Sequence, residues 1–336
     1  MRLRWMPAVL LAACSSAPAP APPPAPAPTV SAAFVRATLA ALADDSMQGR
    51  LTGTPGAARA ARLIAQQMTD THLIPAGDSG YYQRVPLLVM ADRLELPPSA
   101  ADTVGKNIVI DANVLGMLRG TDPALRNEVV LVDAHYDHLG IGRPVKGDSI
   151  YNGADDDASG VVAVLAIARA LAAGPPPKRS ILFVATTGEE VGLLGTRWLI
   201  AHFPVPLDSV KANLEIEMIG RPDPLIGTGH AWLTGSERTT MGPTFKAAGL
   251  AIFPDPHPEQ HFFERSDNIA YAELGIPAQT LSSYGLHTDY HAPSDDLAHA
   301  DIEHMTAVIG AAIEAVRLLA NGAQVSWLPG GKPTGQ

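Results

Sequence analysis

The chain reads as an α/β fold, with a mostly parallel central sheet flanked by helices on both faces. Three observations predict it. Strand-length apolar runs at 129–134 and 180–186 and a mixed run at 214–219 alternate with helix-like segments, as successive β–α units require. The first run is continuously apolar apart from Asp133, the pattern of a strand covered on both faces. Carboxylates and histidines recur where these runs end, which is where open α/β sheets bind ligands. With 336 residues, 46% of them hydrophobic, there is material for one large core.

The elements follow in order. Residues 31–42 place Phe34, Val35, Leu39 and Leu42 at helical spacing. Gly49-Arg50-Leu51-Thr52-Gly53-Thr54-Pro55-Gly56 is a turn-rich loop, and a helix is predicted over 57–68. A strand is predicted at 108–110 and a stronger one at 129–134. A helix over 159–172 is stopped by Gly174 and the prolines at 175–177. Then come a strand at 180–186, a helix at 193–202, strands at 214–219 and 277–281, and a closing helix at 301–319.

The formal net charge is −10 and there is no basic stripe, which argues against nucleic-acid binding. Cys14 is the one cysteine, so no intrachain disulfide can form. Arg2 and Arg4 precede an apolar run at 5–13 that is too short to span a bilayer. The run ends Leu11-Ala12-Ala13-Cys14, followed by Ser15-Ser16, and resembles the bacterial lipoprotein signal, in which the cysteine is lipidated. An ordinary cleaved secretory signal is the alternative. Residues 17–28 are almost entirely Ala and Pro, a composition that forms a semi-rigid polyproline spacer. The expected organisation is a lipoprotein signal at 1–14, a linker at 15–30, a folded domain at 31–322 and a tail at 323–336. The expected location is the periplasmic face of a membrane, the outer one by the serine after Cys14, with anchoring through lipid on Cys14.

Four clusters carry candidate chemistry. His135 leaves a strand, and Asp137 two residues on can fix its tautomer; His138 beside them reads as a bystander. Asp155-Asp156-Asp157 precede a helix. One aspartate suffices as a cap, so three leave carboxylates free to bridge metals. Glu189-Glu190 can divide into a metal ligand and an unligated carboxylate that moves protons. His291 can supply a second imidazole, with His287 as competitor. Glu217 ends another run, with Glu215 as its rival. His299 and His304 read as surface residues, and His257 and His261 as loop residues without chemistry. Five ligands and a spare carboxylate are what two zinc ions and a general base require. No Gly-x-Ser-x-Gly elbow or Walker loop is present.

The set His135-Tyr136-Asp137-His138, Gly153-Ala154-Asp155-Asp156-Asp157-Ala158-Ser159-Gly160, Gly188-Glu189-Glu190-Val191-Gly192-Leu193-Leu194-Gly195 and Tyr290-His291 resembles the bimetallic zinc aminopeptidases. These are clan MH exopeptidases, related to glutamate carboxypeptidase and glutaminyl cyclase. The resemblance starts near Asp45-Ser46-Met47-Gln48-Gly49-Arg50 and runs to about the last helix. It implies a phosphorylase/hydrolase-like zinc-exopeptidase fold and two zinc ions. Asp156 would bridge them, Glu190 and His291 would complete one, and His135 with Glu217 the other. Glu189 would be the general base and Asp137 would orient His135. Ser266-Asp267 and Gly275-Ile276-Pro277-Ala278 match as structural context. The chain departs from the family at Glu217, where Asp is usual, and has too few residues between Asp92, Ile108 and Val129 for the protease-associated domain often inserted there.

The expected function is therefore a zinc-dependent aminopeptidase that hydrolyses N-terminal residues from peptides with a two-metal-activated water. The alternatives are a carboxypeptidase or dipeptidase of the same clan, with Arg221 or Arg265 binding a carboxylate; a glutaminyl cyclase; or a binding lipoprotein without catalysis.

Overall fold

The computed structural model describes residues 30–333. The lipoprotein-signal reading of Cys14 and nearly all of the proposed linker lie outside the described residues. In chain order the elements are α1 (Ala32–Leu42), α2 (Pro55–Asp70), β1 (Ile74–Pro75), β2 (Tyr82–Val89), β3 (Leu94–Glu95), β4 (Ile108–Leu118), β5 (Val129–His135), β6 (Gly140–Val145), β7 (Asp148–Tyr151), α3 (Gly160–Ala173), β8 (Ser180–Thr186), α4 (Leu194–Ala201), β9 (Val210–Ile216), β10 (Ala231–Leu233), α5 (Met241–Ala247), β11 (Ile252–Pro254), α6 (Asn268–Glu273), β12 (Ala278–Ser282) and α7 (Ile302–Ala320).

Ten strands form one mixed sheet in the order β11-β10-β12-β9-β5-β8-β4-β2-β3, with β1 on β4, and β6 and β7 pair separately as a hairpin. At its centre β12, β9, β5 and β8 run parallel, while β4 joins β8 antiparallel. Every residue of β5 and of β8 is buried. Their side chains alternate between two apolar layers. Val130, Val132, Ala134, Ile181, Phe183 and Ala185 pack with residues of α1, α2, α3 and α7. Leu131, Leu182 and Val184 pack on the opposite face with Leu199 of α4 and Tyr271 of α6. Helices on both faces and short polar-capped starts give the predicted architecture. Ser31 and Thr54 cap α1 and α2, and Asp301 caps α7.

Several boundaries differ from the sequence reading. The strand expected at 108–110 extends to Leu118 because its polar interruptions are satisfied inside the fold. Asp111 accepts from the Gly53 amide and the Tyr136 and Thr187 hydroxyls, and Asn113 bonds Thr187 and Gly195. The run expected at 214–219 begins at Val210 and ends at Ile216, so Glu217 lies just past the strand. β2 contains Pro86, which disguises it; the β6–β7 hairpin has too little apolar surface to announce itself. Trp327, beyond the expected domain end at 322, packs onto the domain, its indole donating to the Gly275 carbonyl (2.8 Å).

Candidate metal centre

Parallel strands deliver their C-terminal ends to one edge of the sheet, and four of them build the site. His135 ends β5 opposite Thr186, the last residue of β8. Glu189 and Glu190 follow β8, Glu217 follows β9, and His291 lies in the segment after β12. The fifth contribution, Asp156, comes from the turn that enters α3.

That turn gives each aspartate a separate task. Asp155 accepts from the Gly220 amide (2.6 Å), and its other oxygen meets His287 Nε2 at 2.8 Å. Asp157 accepts from the amides of Gly160 (2.9 Å) and Met218 (3.0 Å). Asp295 braces the turn from outside by accepting from the amides of Asp155 and Asp156. Asp156 alone is left facing the cleft. Its Oδ1 lies 3.3 Å from His135 Nε2 and its Oδ2 lies 3.2 Å from His291 Nε2. Glu217 Oε1 stands 3.8 Å from His135 Nε2, and Glu190 Oε2 stands 3.3 Å from His291 Nε2. One carboxylate therefore faces two sets of ligands: His135 with Glu217, and His291 with Glu190.

These residues fit metal ions on chemical grounds. The Nε2 atoms of both histidines are buried without a hydrogen-bond partner, although both point at carboxylates. Donors held about 2.0–2.1 Å from one tetrahedral zinc lie about 3.3 Å from each other, which three of these separations match, Glu217 standing further off at 3.8 Å. His135 Nδ1 is 3.2 Å from the Asp137 carbonyl oxygen and 3.8 Å from its carboxylate, so its tautomer leaves Nε2 free for a cation. The Asp137 carboxylate itself accepts from the Thr52 hydroxyl (2.9 Å) and the Glu189 amide (3.2 Å).

The charges are mutually dependent. Burial opposes ionisation of Asp156, but His135, His138 and His291 outweigh it and hold the carboxyl well below its usual range. Burial also opposes charge on His291, yet Asp156 and Glu190 raise it to about 10. Glu189 goes the other way: burial pushes it well above the ordinary carboxylate range, with Glu217, Asp267 and Glu190 adding repulsion against the attraction of His135. Its Oε2 lies 4.0 Å from His135 Nε2, beside the His135 set. Glu189 belongs to neither ligand set, which leaves its carboxyl free to move protons beside a bound cation.

The structure separates the rivals that the sequence left open. Glu215 is fully buried and spends its oxygens on Ser266, Thr280 and the amides of Asp267 and Asn268, which also explains the Ser266-Asp267 match. His287 is occupied by Asp155. Arg221 pairs with Asp289 at 2.5 Å. Two readings need correction. His304 is not a surface residue; it is fully buried in α7, where the fold gives it two partners. His138 is not a bystander; it is fully buried with Nδ1 2.8 Å from Glu190 Oε1. Sequence reasoning also missed Arg50. It is fully buried, and its guanidinium donates to the carbonyls of Leu42, Tyr136, Asn152 and Gly153, joining the β5 end to the turn before Asp156. Its position inside the Gly49–Gly56 loop was the available signal.

The cleft beside the ligands is walled by Met218, Trp232, Phe262, Tyr284 and Tyr290. Phe262 packs on Trp232 and Tyr284, Tyr284 on Tyr290, and Tyr290 stacks on His291 at 3.9 Å. Arg265 lines the same cleft with its guanidinium 5.0 Å from the Phe262 ring centre.

Residues 113–316 match the profile of peptidase family M28. A probable leucine aminopeptidase 2 of Aspergillus oryzae is 29% identical over 237 residues, covering 65% of this chain and 44% of its own length. The chain spans about half the length of the curated relatives it matches. Among solved structures, an aminopeptidase from Aneurinibacillus sp. strain AM-1 superposes with a TM-score of 0.65 at 15% identity, over 88% of this chain and 95% of that one. A glutaminyl cyclase of Porphyromonas gingivalis gives 0.62 at 17% identity, over 85% and 98%. At such identities these likenesses speak for the fold alone.

Proposed function

The chain belongs to peptidase family M28, and from that premise we propose that it is a zinc-dependent aminopeptidase using two metal ions. The observation that carries this reading is the division of Asp156, one oxygen toward His135 and the other toward His291. His135, Asp156 and Glu217 would hold one zinc, and Asp156, Glu190 and His291 the other. When bound, such a pair polarises the scissile carbonyl and lowers the pKa of the attacking water to roughly 7.

The protein's own groups do the rest. Glu189 accepts the water's proton and passes it to the amine nitrogen as the C–N bond breaks. Asp137 holds the Glu189 backbone from behind, and its carbonyl fixes the orientation of His135. The aromatic wall takes an apolar first side chain and excludes water, while the surrounding carboxylates attract a free α-ammonium.

The second reading, a dipeptidase or carboxypeptidase, draws support from Arg265, whose guanidinium lies on the cleft wall where a substrate carboxylate could reach it. Short peptides with free and acetylated N-termini separate the two, assayed with and without chelator. Release of N-terminal residues from free-amine peptides longer than two residues, lost to chelator and restored by zinc, is the aminopeptidase outcome. Release of C-terminal residues from acetylated peptides would overturn it. Export and lipid anchoring at Cys14 stand with this as a proposal; metabolic labelling with palmitate, abolished by Cys14→Ala, tests it.

A further inference from the structure

We propose that His138 is a positioning residue for Glu190, holding one of that carboxylate's oxygens so that only the other can serve the His291 side of the metal centre. The inference rests on the two-metal reading above and extends it to a side chain outside the ligand set.

The geometry makes the assignment. His138 Nδ1 is 2.8 Å from Glu190 Oε1, a hydrogen-bond length, and 3.8 Å from Asp156 Oδ2. Two ligands of one zinc would stand roughly 3.3 Å apart, so the 2.8 Å contact is too short for co-ligands and has the length of a hydrogen bond. His291 fits as a co-ligand, at 3.2 and 3.3 Å from the two carboxylates. His138, Asp156 and Glu190 lie close enough together to resemble a ligand set, but the short contact marks His138 as the donor to Glu190. Glu190 thus has its two oxygens divided, Oε1 to His138 and Oε2 toward His291.

The surroundings fix the imidazole. It is fully buried, its ring stands T-shaped to His291 with ring centres 5.6 Å apart, and its Nδ1 faces a carboxylate that can only accept, so Nδ1 carries the proton. Gly153, at φ 56°, lies flat against it: a Cβ there would stand 2.5 Å from His138 Cγ. The Asp137-His138 pair therefore braces both members of Glu189-Glu190, Asp137 through the Glu189 amide and His138 through the Glu190 carboxylate.

The physical consequence is a carboxylate limited to one metal-facing oxygen in a fixed orientation. Outer partners of this kind typically change metal affinity by about 10–100-fold. The test is zinc titration of the full chain, stripped with chelator, against a chromophoric competitor. Three proteins are compared: wild type, His138→Phe, which keeps the ring and removes both nitrogens, and His138→Asn, which restores a donor near Nδ1. His138→Leu replaces the phenylalanine variant if circular dichroism shows that the latter has not folded. One of the two zincs should weaken by about 10–100-fold in His138→Phe, the other should change little, and His138→Asn should recover most of the loss. Cobalt substitution should show the visible bands of one site altered in His138→Phe and restored in His138→Asn. Two zincs bound as tightly in His138→Phe as in wild type would overturn the inference and leave the two-metal reading standing. An asparagine variant as weak as the phenylalanine one would also overturn it, identifying His138 as a ligand. A wild-type protein that binds no zinc would overturn both.

Discussion

Arg50 gives the most direct test of how the metal centre is built. The perturbation is Arg50→Met, which keeps most of the buried volume and removes the guanidinium. Four carbonyls lose a charged donor: those of Leu42, Tyr136, Asn152 and Gly153. The Gly153 carbonyl keeps the Ala158 amide at 3.2 Å, whereas for the other three the guanidinium is the donor that the structure provides. A buried acceptor left without a donor costs about 1–3 kcal/mol, so three of them, partly relieved by entering water, cost about 3–6 kcal/mol. The charge matters as well. Arg50 is buried against Asp295, Asp156, Asp157 and Asp137, which counter the desolvation that lowers its pKa, and removing it leaves those carboxyls facing one another. Release of the buried cation offsets part of this loss. The loss is large against the 5–15 kcal/mol that typically holds a domain together, roughly. Urea unfolding followed by circular dichroism reads it, with Arg62→Met on the exposed side of α2 as control, expected within about 0.5 kcal/mol of wild type. Arg50→Lys keeps the charge but has fewer donors, and should lose about half as much. If Arg50→Met falls less than about 1 kcal/mol below the control, the clamp is not structural and the reasoning fails.

Three other outcomes are expected. Glu189→Gln should lose turnover by several orders of magnitude while both zincs stay bound, as read by metal analysis; activity within about tenfold of wild type would remove Glu189 from the proton-transfer role. Glu217→Asp should weaken the zinc on the His135 side by about tenfold, or about 1.4 kcal/mol, because Oε1 already stands 3.8 Å from His135 Nε2 and a shorter arm draws back further; unchanged affinity in a zinc titration contradicts this. His304 makes stability depend on acid. Its Nδ1 accepts from the Gly229 amide (2.8 Å) and its Nε2 meets the Ser283 hydroxyl (2.8 Å), so a proton on Nδ1 breaks a bond. Burial lowers its pKa against the pull of Asp301 and Asp155, with His230 adding to the lowering. Below about pH 6.5 the unfolded chain binds a proton that the folded one refuses, so this stabilisation is present at neutral pH and lost as the pH falls. In calorimetry, the melting-temperature gap between wild type and His304→Gln should shrink from pH 7.5 to 5; a constant gap refutes the assignment.

Much of the centre was legible from the chain because its residues follow strand ends. Buried parallel strands are apolar and easily seen, and a histidine or carboxylate just beyond one is conspicuous. His135, Glu189-Glu190 and Glu217 were found in that way, and the structure gathers them with Asp156 and His291. His138 was misread because a histidine next to a candidate ligand carries no mark of which partner it faces. His304 was misread because α7 has polar residues on its exposed side, and nothing local shows that this histidine points inward to the Gly229 amide.

The sequence alone determined the alternation of strands and helices, the boundaries of β8 and α7 to within a residue, and the set of side chains able to hold metal. These depend on local periodicity and residue chemistry, which act over a few positions. The residue pattern alone left Glu215 against Glu217, His287 against His291 and the three consecutive aspartates open; the family resemblance pointed to Glu217, His291 and Asp156, and only the tertiary structure supplies the physical reason. Those choices depend on groups distant along the chain: Ser266 and Thr280 take up Glu215, Asp155 takes up His287, and the amides of Gly160 and Met218 take up Asp157. A polar side chain goes to whichever partner burial leaves it, and that partner is specified only when the strands have been brought side by side.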